Sequence, residues 1–178
     1  SLFIEHSIGE IMAYTTIDNP ELYFQVKLYT GNFTDNTAIT LDGSEDMQPD
    51  LVWLKERAEA EGHRLHDSAR GATKYVQTSS ANAEATNADT LKSFNSDGFT
   101  LGANNEHNQS SMTYVAFCWK AGTTSGITTN GDTDVTPSAY SFNQTSGFSI
   151  VKWSSAAGQT AHGLGKKPQM IFLNYFQQ

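Results

Sequence analysis

Short stretches of alternating apolar and polar residues, separated by long polar loops, run the length of this chain, and one pair of them occurs twice. Phe24-Gln-Val-Lys-Leu-Tyr29 alternates with the period of two expected of a half-buried strand. After a polar loop comes Pro49-Asp-Leu-Val-Trp-Leu54, apolar on both faces at its centre, as a core strand is. Near the end the same order returns as Phe148-Ser-Ile-Val-Lys-Trp153, a Gly-rich loop, and Pro168-Gln-Met-Ile-Phe-Leu173. Such a repeat implies modular construction, because one unit seldom buries its apolar face alone.

The pattern predicts further elements between the copies. Residues 23–30 and 51–55 read as strands, joined by a polar loop over 31–46. Residues 56–62, Glu-Arg-Ala-Glu-Ala-Glu-Gly, predict one or two helical turns stopped by Gly62. Residues 73–78 read as a strand and 79–90 as a loop. Ser93-Phe-Asn-Ser-Asp-Gly-Phe-Thr-Leu101 predicts a β-hairpin turning at Asp97-Gly98. A loop over 102–111 leads to a strand at 113–120, and 121–139 has no periodicity. The implied fold is all-β, an antiparallel β-sandwich of jelly-roll or lectin-like type with long polar loops. Its expected divisions are an N-terminal arm at 1–21 and a complete sandwich repeat at 22–122. A linker or long loop at 123–146 and a partial second repeat of two strands at 147–178 follow.

Composition agrees with this architecture and narrows the partners. Ser, Thr and Asn exceed a quarter of the 178 residues and charged residues make up 17%, a mixture that suits short strands between hydroxyl- and amide-rich turns. The formal net charge of −8 excludes nucleic acid as an expected partner, since phosphate binding needs clustered Lys and Arg. No apolar stretch approaches the roughly 20 residues that cross a bilayer, so no membrane insertion is expected. The segment Met12-Ala-Tyr-Thr-Thr reads as a natural start, so residues 1–11 are expected to be either an upstream extension or an addition foreign to the native chain. The one cysteine, Cys118, lies in an apolar run and is expected to be a buried, inert thiol.

Several constellations bear side chains capable of chemistry. His63-x-x-His66-Asp67 has two imidazoles, and His107 and His162 lie elsewhere, but spacing alone assembles no metal ligand set, so no metal or cofactor is expected. The favoured reading makes His66, Asp67 and Arg70 loop anchors, with Asp67 and Arg70 paired at i, i+3 around Gly71. A triad from Ser68, Asp67 and a histidine lacks the strained turn that would present the serine. Glu45, Asp46, Asp50, Glu56 and Glu59 could supply the carboxylates of a glycoside hydrolase, and Asp42 to Asp46 and Asp132 to Asp134 could offer oxygens to calcium. Neither set has the required spacing. Trp53, Trp119 and Trp153 are expected in the core.

Five motifs then occur in order: Thr30-Gly-Asn32, Gln48-Pro-Asp-Leu-Val-Trp-Leu-Lys55, His66-Asp-Ser-Ala-Arg-Gly-Ala-Thr-Lys74, Ser93-Phe-Asn-Ser-Asp-Gly-Phe-Thr-Leu-Gly102 and Tyr114-Val-Ala-Phe-Cys-Trp-Lys-Ala-Gly122. Together they resemble a repeat domain of tail-fibre, appendage and other virion structural proteins of marine, cyanophage-like tailed phages. The likeness spans about residues 12–173, and Gly147-Phe-Ser-Ile-Val151 with His162-Gly-Leu-Gly165 is similar to the opening of a next repeat. The resemblance implies a non-enzymatic protein on the particle surface, partnered by other virion proteins and by copies of itself, and touching host-surface polysaccharide. The residues expected to meet a glycan are Asn32, Asp35, Asn36, Asn82, Asn87, Asn104, Asn105 and Asn108. Phe148, Ile150, Trp153, Ile171 and Phe172 are expected to serve assembly, since two apolar strands cannot stand alone in water. The alternatives are a capsid-decorating or tail-assembly subunit that uses its C-terminal strands for assembly, and a surface-polysaccharide depolymerase.

Overall fold

Eleven short strands form in the computed structural model, which describes residues 16–129, 131, 133–154 and 158–174. They are β1 (Phe24–Thr30), β2 (Thr37–Thr40), β3 (Leu51–Glu56), β4 (Arg64–Asp67), β5 (Lys74–Gln77), β6 (Ala85–Thr86), β7 (Leu91–Asn95), β8 (Gly98–Leu101), β9 (Thr113–Trp119), β10 (Ala139–Asn143) and β11 (Phe148–Lys152). A four-residue helix, α1 (Asn105–Asn108), sits before β9, and a single 3-10 turn at Pro20–Leu22 is capped by Asn19.

Two sheets make the β-sandwich. The larger has the order β1-β9-β3-β4-β5-β6 and the smaller β2-β8-β7, and neighbouring strands in both run antiparallel. The register of the large sheet aligns its side chains in rows. Gln25, Cys118, Val52 and His66 share one row, and Lys27, Ala116, Leu54 and Arg64 the next. Because successive side chains on a strand point to opposite faces, these rows face inward and meet Ile39, Leu91, Phe99 and Leu101 of the small sheet in a buried core. Cys118 is in this layer with no exposed surface, and burial pushes its thiol up to about 12, so it packs as a small apolar group.

Several expectations change. The 31–46 loop contains β2, drawn into the sandwich by Ile39, the residue of that stretch that alternates inward onto the core. Residues 56–62 contain no helix: β3 continues through Glu56, whose pairing with Tyr114 outweighs the helical preference of a short Glu/Ala run. The β7–β8 hairpin forms with Phe94 opposite Phe99, but its two turn residues are Ser96 and Asp97. Gly98 already belongs to β8, and a Cβ there would lie 2.0 Å from the Ile39 carbonyl oxygen. Glycine is required by the close approach of β2.

At the C-terminal side, β10 lies within residues expected to be linker and pairs with β11 as a hairpin. The run at 168–173, expected as the second strand of the partial repeat, is not in a strand. Its counterpart β3 lies between β9 and β4, and no equivalent neighbours flank residues 168–173 among the described residues. The tryptophans are corrected too. Trp53 and Trp119 are half-buried on the outer face of the large sheet and Trp153 is 39% exposed, so none belongs to the inner layer.

Candidate functional site

The loop after β1, the residue that follows β8 and the segment around α1 are joined into one end of the sandwich. Asn108 is the tie. It has no exposed surface, its Oδ1 accepts from the Asn32 main chain at 3.0 Å, and its Nδ2 donates to Thr34 O at 3.1 Å and Gly102 O at 3.2 Å. Its amide also reaches Asn32 Oδ1 at 3.1 Å, and its main-chain oxygen accepts from Phe33 N at 2.7 Å. Gly31 lies so close to this segment that a Cβ would meet the Gln109 oxygen at 2.2 Å.

α1 is too short to hold its own shape, and tyrosine hydroxyls clip it in place. Tyr29 donates to His107 O at 2.7 Å, while Tyr114 donates to Asn105 O at 3.2 Å and accepts from Gln109 N at 3.0 Å. The two rings stack with centroids 5.0 Å apart. Asn104 caps the helix, accepting from Glu106 N at 2.9 Å.

Beneath α1 lies a buried polar cluster. His66 of β4 and His107 of α1 meet Nε2 to Nε2 at 2.9 Å, both fully buried. One nitrogen must donate and the other accept, so the contact requires at least one neutral ring. Burial, with Arg70 and Arg64 nearby, brings His66 down to about 3, and burial with His66 and Arg64 holds His107 well below its usual range. Arg64, 2% exposed, bridges to Glu106 at 2.7 Å, and its guanidinium lies 5.8 Å from the Tyr75 ring centroid. Sequence spacing could not pair His66 with His107; the fold brings them together across 41 residues. Among the described residues no three His, Cys, Asp or Glu side chains converge to hold a metal.

The loop anchor at 67–71 has the geometry of a scaffold. Asp67 Oδ1 accepts from Arg70 N at 2.8 Å, its other oxygen pairs with the Arg70 guanidinium, and Arg70 Nη2 donates to Leu65 O at 2.8 Å. Ser68 Oγ donates to Asp50 at 2.6 Å, and Asp50 also accepts from Ala121 N at 2.8 Å. Two of the carboxylates weighed for glycoside chemistry, Asp50 and Glu56, are therefore buried, at 4% and 2% exposed. Of the acids weighed for calcium, Asp42 pairs with Lys27 and Asp134 accepts from Gln159 N at 3.0 Å; Asp132 lies outside the described residues.

The eight residues expected to meet a glycan divide. Asn108 is corrected to a structural tie, because a fully buried amide cannot reach a ligand. Asn104 and Asn87 are half-buried and engage their own loops, through Glu106 N and Asp89 N. Asn82 is exposed but stands apart, against Gln77 beyond β5. Asn32, Asp35, Asn36 and Asn105 are exposed at the locked end, with Asp35 paired to Lys92 at 2.6 Å. The sequence reading missed Phe33. It is 46% exposed between Asn32 and Thr34, at φ 53°, a left-handed conformation uncommon for a bulky residue. The signal available was an aromatic residue inside an otherwise polar loop.

Of the assembly residues, Phe148 stacks on Trp119 at 6.1 Å and Ile150 is half-buried in the β10–β11 hairpin. Ile171 and Phe172 are 67% and 76% exposed. A family model described as a domain of unknown function (DUF7483) matches residues 19–178. No curated protein and no solved structure matches the chain.

Proposed function

We propose, for a chain that belongs to the DUF7483 domain family, a non-catalytic role as a structural module of a phage particle. It is a tail-fibre or appendage component that touches host-surface polysaccharide through the locked loop end. The five ordered motifs support the virion setting. The observation that carries the attachment reading is Phe33, a ring held partly in solvent at an unfavourable backbone angle among the exposed side chains of Asn32, Thr34, Asp35 and Asn36. A sugar ring has an apolar C–H face and a polar rim. An aromatic face surrounded by amides and hydroxyls offers both partners, and strain maintained at one residue is a feature of binding sites. Because Asn108 fixes the loop from beneath, little ordering is left to occur on binding.

The Phe33→Ala variant is expected to weaken adsorption to host cells, or retention on a host-polysaccharide array, by about tenfold. Folding should be unchanged because the ring lies on the surface. Equal binding by wild type, Phe33→Ala and Asn36→Ala would remove the loop end from the contact.

A further inference from the structure

We propose that the outer face of the six-stranded sheet, extended by residues 170–173, is a self-association surface that takes a second copy of this chain face to face. The inference does not depend on the attachment reading, since the surface lies on the sheet and not among the loops.

The register defines the surface. Phe24, Trp119, Leu51 and Asp67 form one outward row, Asp67 being buried against Arg70, and Val26, Phe117, Trp53 and Leu65 form the next. Leu28 and Val115 begin a third, closed by Lys55. The chain covers only part of it. Phe148 lies on Trp119, and Phe172 meets the Trp53 ring edge to face at 6.3 Å, so the C-terminal run is continuous with the sheet face. Beyond those contacts Phe24, Val26 and Leu28 remain 37%, 45% and 56% exposed, and residues 170–173 between 67% and 76%.

Size and charge argue for a second copy as the occupant. Phe24, Val26, Leu28 and residues 170–173 each keep between 37% and 76% of their surface exposed, and a stable interface of standard size buries about 800 Å² on each partner. A monomer seldom leaves so large a contiguous apolar surface in water. The chain carries a net charge of −8, yet the outward positions of β1, β9 and β3 include no carboxylate and one charge, Lys55, whose ammonium donates to the Glu59 oxygen at 2.9 Å. Two copies can therefore meet here without opposing carboxylates. A strongly charged partner would find nothing to pair with, whereas an identical apolar face matches it in polarity and area. A twofold pairing of identical patches closes on itself and yields a dimer.

Sedimentation velocity on the full chain over a wide concentration range tests this. The expected result is a monomer–dimer equilibrium whose dissociation constant rises about 30-fold or more in the Val26→Lys/Phe172→Ser variant. Leu28→Lys, a substitution at the most exposed apolar position of β1, should act likewise with an unchanged thermal midpoint. Phe33→Ala should leave the dimer intact. A chain that stays monomeric at every concentration overturns the proposal, as does association indifferent to both outer-face variants or growing without limit into larger species.

Discussion

Lowering the pH from about 7 to about 4.5 is expected to cost the fold on the order of 3 kcal/mol through His66, with His107 acting in the same direction. Both are fully buried, and both are held below the usual histidine range, chiefly by burial. In the unfolded chain each titrates near 6.5. Below that pH the unfolded state binds protons that the native state refuses, so stability falls as pH drops through the unfolded value. The fall continues until the folded value, about 3 for His66, is reached. His66 contributes a slope of about 1.4 kcal/mol per pH unit in this window, and His107 adds to it with the same sign.

Carboxylates held low in the fold, such as Asp35 beside Lys92, act in a different window. Their stabilisation is present above the unfolded value near 4 and is lost below it. Denaturant unfolding between about pH 6.5 and 5 therefore reads chiefly the histidines, with Glu56, which burial raises, acting in the opposite direction. A flat profile there would show that the pair does not remain neutral. A His66→Gln/His107→Gln double variant should remove most of the slope, whatever its stability at neutral pH. Because His107 is on α1, acid should loosen the loop end first, and hydrogen exchange of the Asn32 and Phe33 amides, which bond to Asn108, reads that directly.

The second large effect is expected at Asn108. Asn108→Ala should destabilise the protein by about 3 kcal/mol, the scale for leaving several buried or half-buried polar groups without partners. Thr34 O, Gly102 O and the Asn32 amide all lose their contact at once. For a chain of this size that lowers the thermal midpoint by roughly 10 °C. Asn108→Asp is instructive because it keeps the acceptor for Asn32 N but turns a carboxylate oxygen toward the carbonyls of Thr34 and Gly102, so it should be no milder. A loss below about 1 kcal/mol in both variants would mean that water replaces the amide and that the loops hold themselves. If the loop end binds polysaccharide, Asn108→Ala should also weaken binding without touching the ligand, because Phe33 would no longer be presented in one place.

β1 could be read from its period of two, which reflects which face each residue buries, and β3 and β9 from short runs apolar on both faces, as core strands are. Short β2 was hidden inside a polar loop, since one buried Ile39 carries almost all of its signal. The helix expected at 56–62 was absent for the converse reason: local preference summed over seven residues is weaker than the pairing of Glu56 in β3. The repeat indicated β11 correctly but suggested a strand at 168–173, and a core-type strand forms only where flanking strands pair with it.

The candidate site was legible in part. Asp67 and Arg70 are three residues apart, and spacing alone suggested their contact, which the structure contains. His66 with His107, and Asn32 with Asn108, are 41 and 76 residues apart, and nothing in a single sequence joins them. The asparagines illustrate the difficulty most plainly. Asn36 is exposed and Asn108 is wholly buried, yet both occupy polar loops of similar composition.

The amino-acid sequence by itself determined the all-β class, the order of the main strands and the net charge of −8, because alternation and composition are local and additive. The tertiary structure alone decided which polar residues are internal ties and which face solvent. It also decided which face of the large sheet was left partly bare. Those outcomes depend on contacts between segments far apart in the chain, where burial turns the same amide or imidazole from a surface group into a buried constraint.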